Sequence, residues 1–247
     1  MNNDQQLLFD QYLSTGFAQA YGPDSVKSAY YLRMFARNIG PHLPPNPTAR
    51  IVDIGCGLGH FLYYLFHSGY TNILGVDIGA EPVEFCRRHI SPNVAQIDSI
   101  ETFLAQNPGP YEVIGFFDVI EHLPKPTIIP TLRLMREHLA PGGVLFIRTG
   151  NLASPLGPRV RFGDFTHEVG FTEFSLGQVL SAAGFQPSEF TLLPYEPPAP
   201  KNLKQKLRAA LHRLVQWGWR GLFVIESSPP PRITAELIMA VARRAVE

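Results

Sequence analysis

Apolar residues along this chain fall into two alternating rhythms. Short, nearly unbroken apolar runs occur at 50–54, 73–76, 94–97, 111–116 and 143–148. Between them apolar positions return every three or four residues, at 58–68, 80–89, 100–106 and 126–139. Continuous runs suit strands buried on both faces, and the longer period suits helices with one face on a sheet. Alternation of the two predicts an α/β fold, a mostly parallel sheet with helices on both faces. A helix predicted at 175–183, with Thr172 as N-cap and Glu173 at its positive end, is stopped by Gly184. Strand-like runs follow at 185–193 and 234–243. At the N-terminus, Leu7, Leu8, Tyr12 and Leu13, then Val26, Tyr30, Tyr31, Phe35 and Ile39, predict helices over 4–20 and 24–39. The expected division is a helical cap over 1–47, a core of 48–194 and 234–247, and an insertion at 195–233. Pro197-Pro198-Ala199-Pro200 and Pro229-Pro230-Pro231 bracket that insertion.

The first strand runs into Gly55-Cys56-Gly57-Leu58-Gly59, and a helix follows at once. Residues without a Cβ permit the turn and let a ligand approach the backbone. Asp77 ends the second strand 18 positions after Gly59, where a carboxylate can accept ribose hydroxyls. The two features together predict a nucleoside-binding crevice. A dinucleotide fingerprint would place its third glycine where His60 stands, which argues against a nicotinamide enzyme. Asp53-Ile54-Gly55-Cys56-Gly57-Leu58-Gly59 instead resembles the DxGxGxG first motif of class I S-adenosylmethionine (SAM) methyltransferases. The resemblance is good over about 48–184. It implies a seven-stranded Rossmann-like sheet ending in an antiparallel hairpin, for which 185–193 and 234–243 are available. It also implies SAM as cofactor, held by Asp53, Gly55, Gly57, Gly59 and Asp77. Asp98 and Ser99 after the third strand, Ile78 and Ile97 on the faces of the adenine, and Phe117 and Asp118 after the fourth strand complete the expected set.

Zero formal net charge gives no field toward nucleic acid, and no NPPY-type motif is present. Two cysteines, Cys56 and Cys86, read as reduced thiols. Met1 to Gln6 is polar, without a signal pattern, and no apolar run reaches the roughly 18 residues that span a bilayer. A cytoplasmic protein acting on a small-molecule acceptor is expected.

Acceptor chemistry points to two segments. Asp118, Glu121 and His122 follow the fourth strand and would share one face if 118–122 formed a helical turn. Many small-molecule methyltransferases carry an EH pair here that lines the crevice and orders the acceptor. In quinone-pathway O-methyltransferases a carboxylate, a second carboxylate and this His bind a divalent cation. That resemblance makes Asp118, Glu121 and His122 candidate ligands for Mg²⁺, with Asp in place of the usual first Glu. Further on, Asp164-Phe165-Thr166-His167 with Phe171-Thr172 resembles methyltransferases of bacterial polysaccharide and glycolipid biosynthesis. His167 is the first candidate base for an acceptor hydroxyl and His122 the second. The alternative is that His167 only holds its loop. Arg148, Arg159 and Arg161 border this loop and would suit an acidic acceptor.

The insertion carries six basic residues from Lys201 to Arg220 and no acid. Leu203, Leu207, Leu211 and Leu214 form one helical stripe that continues toward Trp217 and Trp219. Such a helix suits either an anionic membrane surface, over 201–223, or a packing face against its own domain or a partner. The favoured expectation is an O-methyltransferase of a sugar or glycolipid hydroxyl in polysaccharide biosynthesis. The alternatives are an enzyme for a quinone precursor or phenol, to which Tyr12, Tyr21, Tyr30 and Tyr31 would offer flat surfaces, and a SAM-binding scaffold without catalysis.

Overall fold

The apolar runs become strands because each one is covered on both faces. In β4 (Tyr111–Phe117), Ile114 and Phe116 point into one core layer while Val113 and Phe117 point into the other. In β5 (Leu139–Gly150), Leu145 and Ile147 alternate with Val144 and Phe146 in the same way. Side chains of period two therefore fill two separate cores, one on each side of the sheet. The computed structural model describes Leu8, Phe9 and residues 28–246. Leu8 and Phe9 are helical; the rest of the helix expected at 4–20, with Tyr12, lies outside the described residues, as do Tyr21 and residues 24–27 of the helix expected at 24–39.

The remaining strands are β1 (Ile51–Ile54), β2 (Ile73–Asp77), β3 (Val94–Gln96), β6 (Phe190–Pro194) and β7 (Leu237–Arg243). Their order across the sheet is β3-β2-β1-β4-β5-β7-β6. The first five run parallel, and β7 runs antiparallel to both β5 and β6. This is the Rossmann-like sheet, closed by an antiparallel pair, that the resemblance implied. Connections from β1 turn toward β2 on one side, while β4 pairs on the other. A crevice therefore opens between the carboxyl ends of β1 and β4.

The helices are α1 (Ala29–Asn38), α2 (His60–His67), α3 (Ala80–His89), α4 (Ile100–Gln106), α5 (Lys125–His138), α6 (Gly157–Phe162), α7 (Glu173–Ala182) and α8 (Leu203–Ile225). Ser28 caps α1, its hydroxyl oxygen accepting from Tyr30 N at 3.1 Å. Phe35 of α1 packs on Phe61, Tyr64 and Phe117 with ring centroids 5.5, 5.6 and 5.6 Å away. Asn151 closes the far side. Its Nδ2 donates to Ile233 O at 3.0 Å and Ala235 O at 2.9 Å, tying the end of β5 to the returning insertion.

Several boundaries differ from expectation. The strand expected at 185–193 starts only at Phe190, because Phe185 is buried beside the end of α7. The one expected at 234–243 starts at Leu237. β5 begins at Leu139 rather than 143 and bends through Gly142, whose φ is 75°. α6 was not anticipated, since six residues with Pro158 in the first turn carry no readable period.

Removing the Phe35 ring leaves a hole between α1, α2 and the end of β4. Phe35→Ala should cost about 3–5 kcal/mol in denaturant unfolding. A loss below about 1 kcal/mol would show that α1 is not part of the core.

Candidate active site

The glycine turn after β1 is locally required. Gly55, Gly57 and Gly59 have φ of 71, 52 and 79°, and Gly59 is the N-cap of α2. A Cβ at Gly55 would sit 2.4 Å from Val119 Cγ2, and one at Gly59 2.9 Å from Cys86 Sγ. A Cβ at Gly57 meets nothing within 4 Å, so this glycine faces the open crevice. Asp77 braces the turn: Gly57 N donates to Oδ2 at 2.8 Å and Gly79 N to Oδ1 at 2.9 Å. Each oxygen keeps a further lone pair for a ribose hydroxyl. Burial raises the Asp77 carboxyl above its usual range, against the pull of these N–H groups. Cys86 Sγ, a free thiol, donates to Gly57 O at 3.1 Å.

Asp53 is buried, and its Oδ1 has no hydrogen-bond partner. Burial first, then the charge of Asp77, lifts its pKa to about 7, with Arg148 opposing. A cationic cofactor group would complete this oxygen, and the ammonium and sulfonium of SAM are of that kind. The open cradle at Gly57 and the orphaned Asp53 oxygen both fit SAM.

The other expected contacts are engaged to different degrees within the protein itself. Asp98 is exposed at the end of β3, and Ile78 is half-buried with its carbonyl accepting from Gln96 Nε2 at 3.1 Å. Ser99 is spent as the cap of α4, accepting from Thr102 N at 3.1 Å. Phe117 does not close over an adenine site. Its ring lies among Phe35, Phe61 and Phe146 in the core. Asp118 is turned by a φ of 56° and gives both oxygens to the Arg148 guanidinium, Oδ1 accepting from Nε at 3.0 Å. Asp118, Glu121 and His122 therefore do not share a helical face; only Ile120–His122 forms a short 3-10 turn. Two residues not anticipated here are His60 and Phe9. His60 stacks with Tyr31 at 4.4 Å and is held near pKa 4, first by burial and then by Arg148, with Asp118 opposing. Phe9 stands edge-on to His122 at 5.8 Å, and a Cβ at Gly79 would meet its carbonyl oxygen at 2.8 Å. Phe9 thus lies near both Gly79 and His122.

On the acceptor side, the loop after α6 is laid onto the 3-10 turn. Glu121 O accepts from Glu168 N at 2.8 Å and Val169 N at 3.1 Å. Arg161 Nη2 donates to Glu168 O at 2.9 Å, and its Nη1 to His167 O. This brings the His167 and His122 rings to 4.6 Å. His167 Nδ1 lies 2.9 Å from Val160 O; a carbonyl only accepts, so Nδ1 carries a proton. Thr166 donates its hydroxyl proton to Asp164 Oδ1 at 2.6 Å, so His122 Nδ1, 2.8 Å from the same hydroxyl, donates as well. Burial first, then His167, lowers His122 to about pKa 4 and keeps it neutral. Burial would raise Asp164, but the Thr166 hydrogen bonds outweigh it and hold its carboxyl below the usual range. Glu173 does more than favour the start of α7: its carboxylate accepts from Arg232 N and Ile233 N, each at 2.9 Å.

The expected cation set is not assembled. Asp118 belongs to Arg148, and Glu121 is buried with Oε2 unpartnered. Burial first, then Asp118, raises Glu121 to about pKa 8, so it is a neutral carboxyl at pH 7. With Asp118 spent on Arg148, the set lacks a charged oxygen ligand that Mg²⁺ would want. Among the described residues, ligand atoms of His122, Asp164 and His167 do lie within 4.8 Å of one another. Two imidazoles and one carboxylate suit a transition metal rather than Mg²⁺.

Comparisons with known proteins agree with this geometry. A family model for a methyltransferase domain matches residues 27–189. A ubiquinone biosynthesis O-methyltransferase of Xanthomonas campestris pv. campestris is 32% identical over 109 residues, 42% of this chain and 44% of that protein. The match thus spans less than half the length of this curated relative. A solved SAM-dependent methyltransferase from Archaeoglobus fulgidus superposes with a TM-score of 0.65 at 20% identity, covering 90% of this chain and 97% of its own. One from Thermotoga maritima gives 0.63 at 15% identity, covering 97% and 99%. At these identities the structural likeness speaks for the fold.

Two measurements test the site. Gly57→Ala should fold with a penalty of about 1–2 kcal/mol for its positive φ and lose at least about tenfold in SAM affinity by calorimetry. Unchanged affinity would mean the turn is not the cofactor cradle. Glu121 contributes stability that is fully present below its ordinary pKa of 4.5 and is lost as pH rises through about 8. Glu121→Gln, which mimics the neutral carboxyl, should flatten the fall in unfolding free energy between pH 5 and 8. Parallel curves for the two proteins would refute the raised pKa.

Proposed function

The chain belongs to the class I SAM-dependent methyltransferases, and on that footing we propose that it methylates a hydroxyl of a small aromatic acceptor of the quinone-precursor type. The observation that carries this reading is His167, whose ring is fixed by Val160 O at Nδ1, leaving Nε2 as the atom for an acceptor hydroxyl. The name of the Xanthomonas campestris relative supports a quinone-pathway acceptor over the sugar or glycolipid favoured from the DxTH and FT residues. Acid strength supports it too. A phenol, with a pKa of about 10 in tyrosine, yields its proton far more readily than an aliphatic alcohol, so a neutral imidazole suffices as base.

SAM, when bound, supplies a methyl carbon already activated by the adjacent sulfonium. Asp77 and the glycine turn hold the nucleoside, and Asp53 faces its positive charge. His167 Nε2 takes the hydroxyl proton as the oxygen bonds to the methyl carbon and the carbon–sulfur bond breaks toward sulfur. Alignment of this kind accounts for about 7–11 kcal/mol of barrier lowering in well-oriented reactions. His122, Thr166 and Asp164 form a hydrogen-bonded support beside that base.

The test compares 3,4-dihydroxybenzoate with a methyl hexoside as acceptors. The phenol should be methylated and the hexoside not; the reverse would return the sugar reading. His167→Ala should lower kcat about 10²–10⁴-fold with SAM affinity unchanged. Full activity in that variant would remove His167 as base. Loss of wild-type activity on chelation, restored by Zn²⁺ or Mn²⁺, would instead assign the His122–Asp164–His167 cluster to a metal.

A further inference from the structure

α8, the longest helix, buries none of its residues. At about 100° per residue, Leu203, Leu207, Leu211, Leu214 and Ile225 fall on one stripe. An apolar stripe of this length usually packs on its own domain. Here it faces away: Leu203 is 82% exposed, Leu211 55% and Ile225 76%, while the partly covered Gln216, Trp219 and Phe223 lie on the opposite side. The helix is held by its polar back. Trp219 Nε1 donates to Ala153 O at 2.8 Å, and a cavity of about 720 Å³, lined by Arg213, Gln216 and Arg220, separates the helix from the domain.

Charge decides what covers the stripe. Lys204 and Arg208 flank it on one side and Lys206, Arg213 and Arg220 on the other, with no Asp or Glu from 197 to 225. A second copy packed symmetrically would bring like-charged flanks together. An anionic lipid surface accepts both parts, leucines at the acyl boundary and cations among the phosphates. No helix among the described residues is long and apolar enough to cross a membrane, so the contact is an interfacial one.

We propose that α8 docks the protein on an anionic bilayer surface with its leucine stripe toward the lipid. Through Trp219 and Ala153 the docked helix also holds the segment leading to the His167 loop one helix diameter, about 10 Å, from the lipid. This placement suits an acceptor dissolved in the membrane, but docking itself does not depend on the phenol reading.

The test is co-sedimentation of the full chain with vesicles of equimolar phosphatidylglycerol and phosphatidylcholine, or of phosphatidylcholine alone. The protein should pellet with the anionic vesicles, be released by high salt, and stay in solution with the neutral ones. Leu207→Glu with Leu211→Glu should abolish pelleting while SAM affinity by calorimetry stays unchanged. Lys204→Gln with Arg208→Gln, a milder pair, should weaken partitioning about fivefold per charge removed. Equal pelleting of all variants, or none by the wild type, overturns the proposal. So does a dimer in light scattering that the Leu207→Glu pair converts to monomer, since the stripe would then serve a second copy. Because no readout requires turnover, failure of docking and failure of the acceptor assignment are separable.

Discussion

The ion pair between Asp118 and Arg148 is the interaction on which most of the site depends. Asp118 leaves the end of β4 with φ of 56°, a conformation non-glycine residues adopt at a cost. That turn aims its carboxylate at Arg148 of the neighbouring strand, in a bidentate contact. The guanidinium then lies over Tyr195 at 4.7 Å, Phe117 at 5.4 Å and Phe35 at 5.9 Å. One buried cation therefore joins the end of the sheet, the helix that caps it and the residue from which the insertion departs. Burial pulls its pKa down, but the Asp118 carboxylate outweighs this and keeps it above its ordinary value.

Around that pair the crevice is short of charge. Burial pushes Asp53 to about 7, Glu121 to about 8, and His60 and His122 to about 4, each toward its neutral form. Methyl transfer starts from a sulfonium and ends with a neutral thioether and a proton to be stored. An imidazole on the acceptor side can take the proton. The two halves of the site are built on different scaffolds. The nucleoside half rests on strand ends and the glycine turn, while the acceptor half rests on a long loop hung from the backbone oxygen of Glu121. Loop variation on a fixed sheet is how one fold serves many acceptors.

The same division separates what was legible from what was not. Strand and helix periods, the glycine turn, Asp77 and the Gly184 stop, whose φ is 102°, are local in sequence, and the amino-acid order determined them. Gly57 must face open space because its neighbours on either side of the turn are packed against Val119 and Cys86. Tertiary structure alone decided the rest. Asp164 meets His122 across more than forty residues of chain, and no periodic signal links them. Phe117 and Asp118 read as crevice residues from their place after β4, yet packing took one for the core and Arg148 took the other. The leucine stripe of α8 was plain in the sequence, but which way it faces depends on Trp219 finding Ala153 O, a contact between residues 66 apart. Local order specifies which backbone shapes form. Only the closed fold settles which side chains meet, because burial and long-range pairing compete for the same groups.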